Sequence, residues 1–443
     1  LQTKIHAVWR TGLAAVCTLA VVFSWPARSA AYSVLSHEAI IDSAWDTNIK
    51  AVLLKQFPNA TPDELRQAHG YAYGGAIIQD LGYYPHGSIL FSDLTHYVRS
   101  GDFVLALLHD ARESKELNDY AFALGALAHY AADIAGHPMA TNRSVPLLYP
   151  KLKKKYGDSI TYEDDPLAHV KTEFGFDVLE VAQQRYASDT YHDFIGFQVA
   201  TALLERAFQE TYGLPLKVVL TDEDQVLNSY RRAVSKQIPQ ATRIAWTLKK
   251  DEIQKDSPGI TKRKFLYNLS RASYEKQWGK NYKQPTSWEK FLAFLYKLLP
   301  KIGPLKVLQL RTPTPQTQKL FEASFNATLD RYRVFLSDEA ADHLELINTN
   351  FDTGDITGPG KYRMNDEAHA KLLGMLADDK FAGASSEVRE ELLHFYSDPY
   401  APYATKRDVK AWAKVQAELE QLKAALPAAV LPSPQPAKVA VPK

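Results

Sequence analysis

Residues 118–138 read NDYAFALGALAHYAADIAGHP, and their spacing decides the fold. Apolar residues recur every three to four positions, the period of a helix with a buried face, and Gly136 and Pro138 are residue types that close a helix. Within the stretch His129, Asp133 and His137 stand at i, i+4 and i+8. At about 100° per residue, four-residue steps keep three side chains on one stripe. Imidazole and carboxylate at that spacing can hold zinc, and the two oxygens of Asp133 allow it to bridge two ions. An isolated His/Asp pair is more often a surface arrangement, and His137 alone would serve as a C-terminal cap.

A second pair shifts the balance toward metal. His169 and Glu173 repeat the i, i+4 spacing in the helical stretch 165–185, which follows Asp164-Asp165-Pro166. Two such helices can face one another in a bundle and share a metal site. From Ser36 onward the helical period dominates and strand-like alternation is scarce, so an all-α, multi-helix fold is expected. Of the 13 histidines, eight lie from His37 to His169. Asp80 sits in the stretch 74–85 and His96 follows sixteen residues later, with His37 upstream of both. His109-Asp110 and His69 read as solvated helix faces, and His86, between Pro85 and Gly87, as a loop residue.

The 443 residues carry 52 basic against 51 acidic side chains, with 46% hydrophobic and 23% charged. Those proportions exclude a disordered chain, a collagen and a polytopic membrane protein, and the even balance argues against a general nucleic-acid binder. Residues 1–31 place Lys4 and Arg10 ahead of an apolar run from Gly12 to Trp25, then Ala27-Arg28-Ser29-Ala30-Ala31. That order is the pattern of a signal peptide, so an exported protein, periplasmic or secreted, is expected to begin at Tyr32. Cleavage there frees an α-amine that forms a five-membered chelate with its own carbonyl, which makes Tyr32 a candidate ligand. The single cysteine, Cys17, falls within the leader, leaving bound metal as a means of stabilisation. Histidines thin out beyond residue 212, which divides the mature chain, with a soft boundary, into a metal-bearing portion 32–212 and a helical portion 213–426. Residues 427–443, rich in Pro, Ala and Val, read as a disordered tail. A polar loop, Phe351-Asp352-Thr353-Gly354-Asp355 with Gly358-Pro359-Gly360, has no assigned role at this level.

Taken in order, Tyr32, His37, Asp80, His96, His129-x-x-x-Asp133, His137 and His169-x-x-x-Glu173 resemble the zinc-dependent phospholipase C family and its relatives, the single-strand-specific zinc nucleases, over residues 32–180. The resemblance implies an all-helical domain with three zinc ions. Asp80, His96, His129 and Asp133 would hold the first, Tyr32 and His37 the second with Asp133 bridging, and His137, His169 and Glu173 the third. Two departures stand out: tyrosine replaces the usual leading tryptophan, and four residues separate Asp133 from His137 where bacterial members have six. Glycosylphosphatidylinositol-specific phospholipase D is similar to the shorter spacing. The resemblance further implies cleavage of phospholipid headgroups by a metal-activated water, with Asp80 as base or water orienter. Transient contact with a membrane surface is expected, and no stable nucleic-acid partner. The alternatives are a nuclease or nucleotidase of the same zinc chemistry, or a non-catalytic helical protein that zinc stabilises.

Overall fold

A helix that is apolar on every side has to lie inside its protein. Leu117–Gly136 does so, and only Leu117, Asn118, Asp119 and Ile134 of its 20 residues escape full burial. The computed structural model describes residues 33–84, 86–182, 198–232, 311 and 313–425. The helices follow in the order α1 Val34–Ala44, α2 Lys50–Gln56, α3 Pro62–Gly75, α4 Ile89–Tyr97, α5 Ser100–Ser114, α6 Leu117–Gly136, α7 Asn142–Leu148 and α8 Pro150–Tyr156. Beyond these come α9 Pro166–Ala182, α10 Thr201–Tyr212, α11 Leu216–Val219, α12 Glu223–Arg232, α13 Pro315–Ala340, α14 Arg363–Asp378, α15 Ser386–Phe395 and α16 Val409–Ala424. The fold is all-α. Among the described residues there is no strand beyond the isolated antiparallel bridge Thr349–Ile356. No described helix is long and apolar enough to cross a membrane.

Local chemistry sets the helix ends. Thr61 and Glu64 form a reciprocal capping box at the start of α3, with Pro62 at the first position, where its missing N–H costs nothing. Asp165 accepts from the Ala168 N–H at 2.9 Å to open α9. Around α6 pack α3, α5 and α13. The approach of α3 is close enough to require glycine: a Cβ on Gly75 would meet the Phe122 carbonyl at 1.9 Å, and one on Gly125 the Ala72 carbonyl at 2.1 Å. One buried apolar cluster draws on both sides of residue 213, joining Leu124, Tyr130 and Phe208 to Tyr332, Phe351 and Leu372.

Several expectations change. The helix carrying His129 does not stop at Gly136 and Pro138. It passes through a π-helical turn, His137–Thr141, directly into α7. The wider π turn accommodates Pro138, whose ring and missing N–H interrupt the α-helical ladder there without ending the helix. Lys153, Lys154 and Lys155 lie in the last turn of α8, where positive charge is favoured, and are exposed. His69 is not solvated. It stacks on Trp45 with centroids 3.9 Å apart and pairs with Asp42 at 3.1 Å, an aromatic lock between α1 and α3. His109 does lie on an exposed face, and His86 does lie in a turn, at φ 68°. The segment 1–31, Tyr32 and the tail 427–443 lie outside the described residues.

Candidate metal centre

Five of the predicted residues converge. His37 comes from α1, Asp80 from the 3-10 turn Ile78–Tyr83, His96 from α4, and His129 and Asp133 from α6. His129 Nε2 is 3.3 Å from Asp133 Oδ2, and His96 Nε2 is 3.6 Å from the same oxygen. His96 Nε2 also lies 3.3 Å from Asp80 Oδ1, and His37 Nε2 3.6 Å from Asp133 Oδ1. The two oxygens of Asp133 therefore face different imidazoles, as bridging requires. Donor atoms of His37, Asp80 and His129, and again of His96, His129 and Asp133, all fall within 4.8 Å of one another. All five residues are buried, with Asp80 the most accessible at 6%.

The surrounding backbone aims these rings. His129 Nδ1 donates to the Ala76 carbonyl at 2.8 Å, and His96 Nδ1 to the Ser92 carbonyl at 2.8 Å. A carbonyl only accepts, so Nδ1 carries a proton in both rings and Nε2 is the atom turned toward the carboxylates, where a bound cation would take its lone pair. The close α3–α6 contact brings the Ala76 carbonyl into reach. Ser92 Oγ donates to the Gln79 carbonyl at 2.6 Å and accepts from the Gly82 N–H at 3.0 Å, joining the turn with Asp80 to the helix with His96. Asp177 on α9 accepts from Leu35 N–H at 3.0 Å and Ser36 Oγ at 2.6 Å, fixing the start of the helix that bears His37.

The donor chemistry fits a divalent cation. Ligands about 2.0–2.1 Å from a tetrahedral zinc stand about 3.3–3.4 Å apart, close to the spacings above. The Nε2 atoms of His96 and His129 and both Asp133 oxygens are buried without a hydrogen-bond partner among the described residues. Every ion pair made by Asp80, Asp133 and Asp352 among those residues is with an imidazole. Buried carboxylates so arranged are costly unless positive charge joins them.

Ionisation shows the same tension. Burial, reinforced by the neighbouring His129, holds His37 down at about 3. Burial pushes Asp80 up. Burial works against the charge of His129 too, but the Asp133 and Asp80 carboxylates prevail and lift it to about 9. Burial of Asp133 is outweighed in turn by His129, which holds its carboxyl well below the usual range.

The remaining predicted ligands form a second group. His169 Nδ1 is 2.7 Å from Glu173 Oε1, and burial holds its imidazole down at about 4. The His137 and His169 rings lie 5.0 Å apart, yet His137 does not share the stripe of His129. Each four-residue step drifts by about 40° on a helix of 3.6 residues per turn, so two steps carry His137 about 80° around the axis. There it meets Asp352, with Nδ1 3.0 Å from Oδ1.

Sequence reasoning missed Asp352, Asn142 and Phe351. Asn142 Oδ1 lies 2.9 Å from His169 Nε2, and the Phe351 ring centroid packs 5.1 Å from that of His96. The available signal was the polar loop 351–360 in an otherwise helical half.

Residues 36–221 match the family model for zinc-dependent phospholipase C. No curated protein and no solved structure matches the chain. The matched segment contains His37, Asp80, His96, His129, Asp133, His137, His169 and Glu173, whereas Asp352 lies beyond it.

Proposed function

Because residues 36–221 match the zinc-dependent phospholipase C family, we propose that the chain is an exported zinc hydrolase of phosphodiesters, acting on phospholipid headgroups. The observation that carries this reading is the convergence of three imidazoles on Asp80 and Asp133 at 3.3–3.6 Å, with the Nε2 atoms of His37, His96 and His129 all turned toward these carboxylates. His37, Asp80, His96, His129 and Asp133 would hold two ions, with Tyr32 completing the set, and His137, His169 and Glu173 a third. Zinc bound there supplies a Lewis acid for the phosphate oxygens and a water of lowered pKa.

The chain's own groups do the rest. Asp133 spaces the centre through its two oxygens, while the Ala76 and Ser92 carbonyls keep Nε2 of His129 and of His96 directed at it. Asp80, the most accessible member, is the carboxylate that orients the attacking water and accepts its proton. The leader-like pattern of residues 1–31 supports export, which places such an enzyme where it meets membrane lipid.

The test is elemental analysis and N-terminal sequencing of purified full-length protein, followed by assay against phosphatidylcholine and single-stranded DNA. Two to three zincs per chain, a Tyr32 start and release of phosphocholine are expected. Cleavage of DNA without cleavage of lipid would transfer the chain to the nuclease reading, and a zinc-free folded protein would refute both.

A further inference from the structure

The geometry points to Asp352 as a donor of the metal centre, supplied by the C-terminal half to the end formed by His137, His169 and Glu173. The inference rests on the zinc reading above and extends it beyond the matched segment. Asp352 is 2% exposed. Its Oδ2 accepts from the hydroxyls of Tyr97, at 2.9 Å, and Tyr362. Its Oδ1 is 3.0 Å from His137 Nδ1. The two atoms sit side by side, a little closer than two ligands on one zinc, so a bound ion needs only a small separation of the pair. A ligating carboxylate is usually held by hydrogen bonds of its own, which is the part the two tyrosines play.

The main chain of the same residue reaches the second imidazole. The Asp352 carbonyl accepts from Asn142 Nδ2 at 2.6 Å, and this obliges Asn142 Oδ1 to face His169 Nε2. The amide oxygen accepts, so His169 carries its proton on Nε2 and its lone pair on Nδ1, beside Glu173 Oε1. A lone pair facing a carboxylate is repulsive until a proton or a metal cation lies between them, and both atoms are ones that a metal cation accepts. Two imidazoles and two carboxylates, none more than 2% exposed, thus offer the nitrogen and oxygen set that zinc accepts.

The loop is fixed for this placement. Asn350 Oδ1 accepts from the Asp352 and Thr353 N–H groups at 2.9 and 3.1 Å. The Phe351 N–H donates to the His96 carbonyl at 3.2 Å. Gly354, at φ +73°, turns the chain against Ile134 and Pro138, where an added Cβ would come within 3.0 Å of both.

The experiment compares full-length wild type, Asp352→Asn and Asp352→Ala for zinc per chain, zinc retention against a graded chelator, and melting of the metal-free forms. Asp352→Asn keeps the side-chain shape and an oxygen for the tyrosines, so it decides the matter should the alanine variant fail to fold. The expected result is loss of one zinc equivalent, or its release about 10–100-fold more readily, with the other zinc retained and metal-free melting unchanged. Identical zinc number and chelator resistance in Asp352→Asn would overturn the inference and leave the zinc reading standing. A wild-type chain without zinc would remove both.

Discussion

Asp133 is the residue on which most of the electrostatics turns. Both of its oxygens are buried, each faces a different set of imidazoles, and among the described residues none of its ion pairs is with Lys or Arg. Asp133→Asn keeps the shape and removes the charge, so two ions lose a shared anionic donor. Zinc content should fall by up to two equivalents and activity should drop below detection, as elemental analysis and a lipid assay would read. Full zinc in that variant would end the bridging assignment. Asp80→Asn separates holding from chemistry. If Asp80 accepts the proton, kcat should fall about 10²–10⁴-fold, by more than the loss of metal explains. A variant whose kcat per bound zinc matches the wild type would reduce Asp80 to a ligand.

The elements place these residues by backbone contact more than by side-chain fit. Gly125→Ala tests this through two opposed effects: alanine gains up to about 1 kcal/mol of helix propensity, while overpacking a fitted interface costs about 1–3 kcal/mol. The added methyl would stand 2.1 Å from the Ala72 carbonyl, backbone that has no rotamer by which to yield, so the steric cost wins. Displacing α3 also withdraws the Ala76 carbonyl from His129. Net destabilisation of about 1–2 kcal/mol by urea titration is therefore expected, accompanied by weaker zinc retention. A more stable variant with unchanged zinc would show that the helices separate freely. The helical period of residues 118–136 and the i, i+4 pairs are local signals, which is why the fold class and the residues on α6 and α9 were legible in the sequence, whereas His37, Asp80 and His96 were reached only through the ordered resemblance. The continuation through His137–Thr141 was not, because Gly136 and Pro138 read as a stop when seen without their packing. Asp352 was legible only as a polar loop without a role: its partner Asn142 lies 210 residues away, and no periodicity connects the two.

At the scale of the whole molecule, the C-terminal half is built into the walls of the centre. The Tyr332 hydroxyl donates to the Leu124 carbonyl on α6 at 2.9 Å, and Arg112 on α5 pairs with Glu339 on α13, whose carboxylate also accepts from Tyr120 at 3.0 Å. Asn348 Oδ1 accepts from the Gly101 and Asp102 N–H groups at the start of α5, at 3.0 and 3.1 Å. With apolar residues from both sides of residue 213 in one buried cluster, neither side can bury its faces alone. Unfolding should then be one event. Helix loss followed by circular dichroism and zinc release followed with a colorimetric chelator should share one midpoint. Stripping the metal should lower that midpoint for the entire chain, because zinc binds the assembled centre and the free energy of binding adds to that of folding. A fragment ending at residue 232 supplies the sharper test: it retains every ligand assigned within residues 36–221 but lacks α13 and the loop of Asp352. It should fail to fold cooperatively and to retain the full complement of zinc. A fragment that melts in one transition with that complement would show the centre to be self-sufficient and the second half to be an accessory.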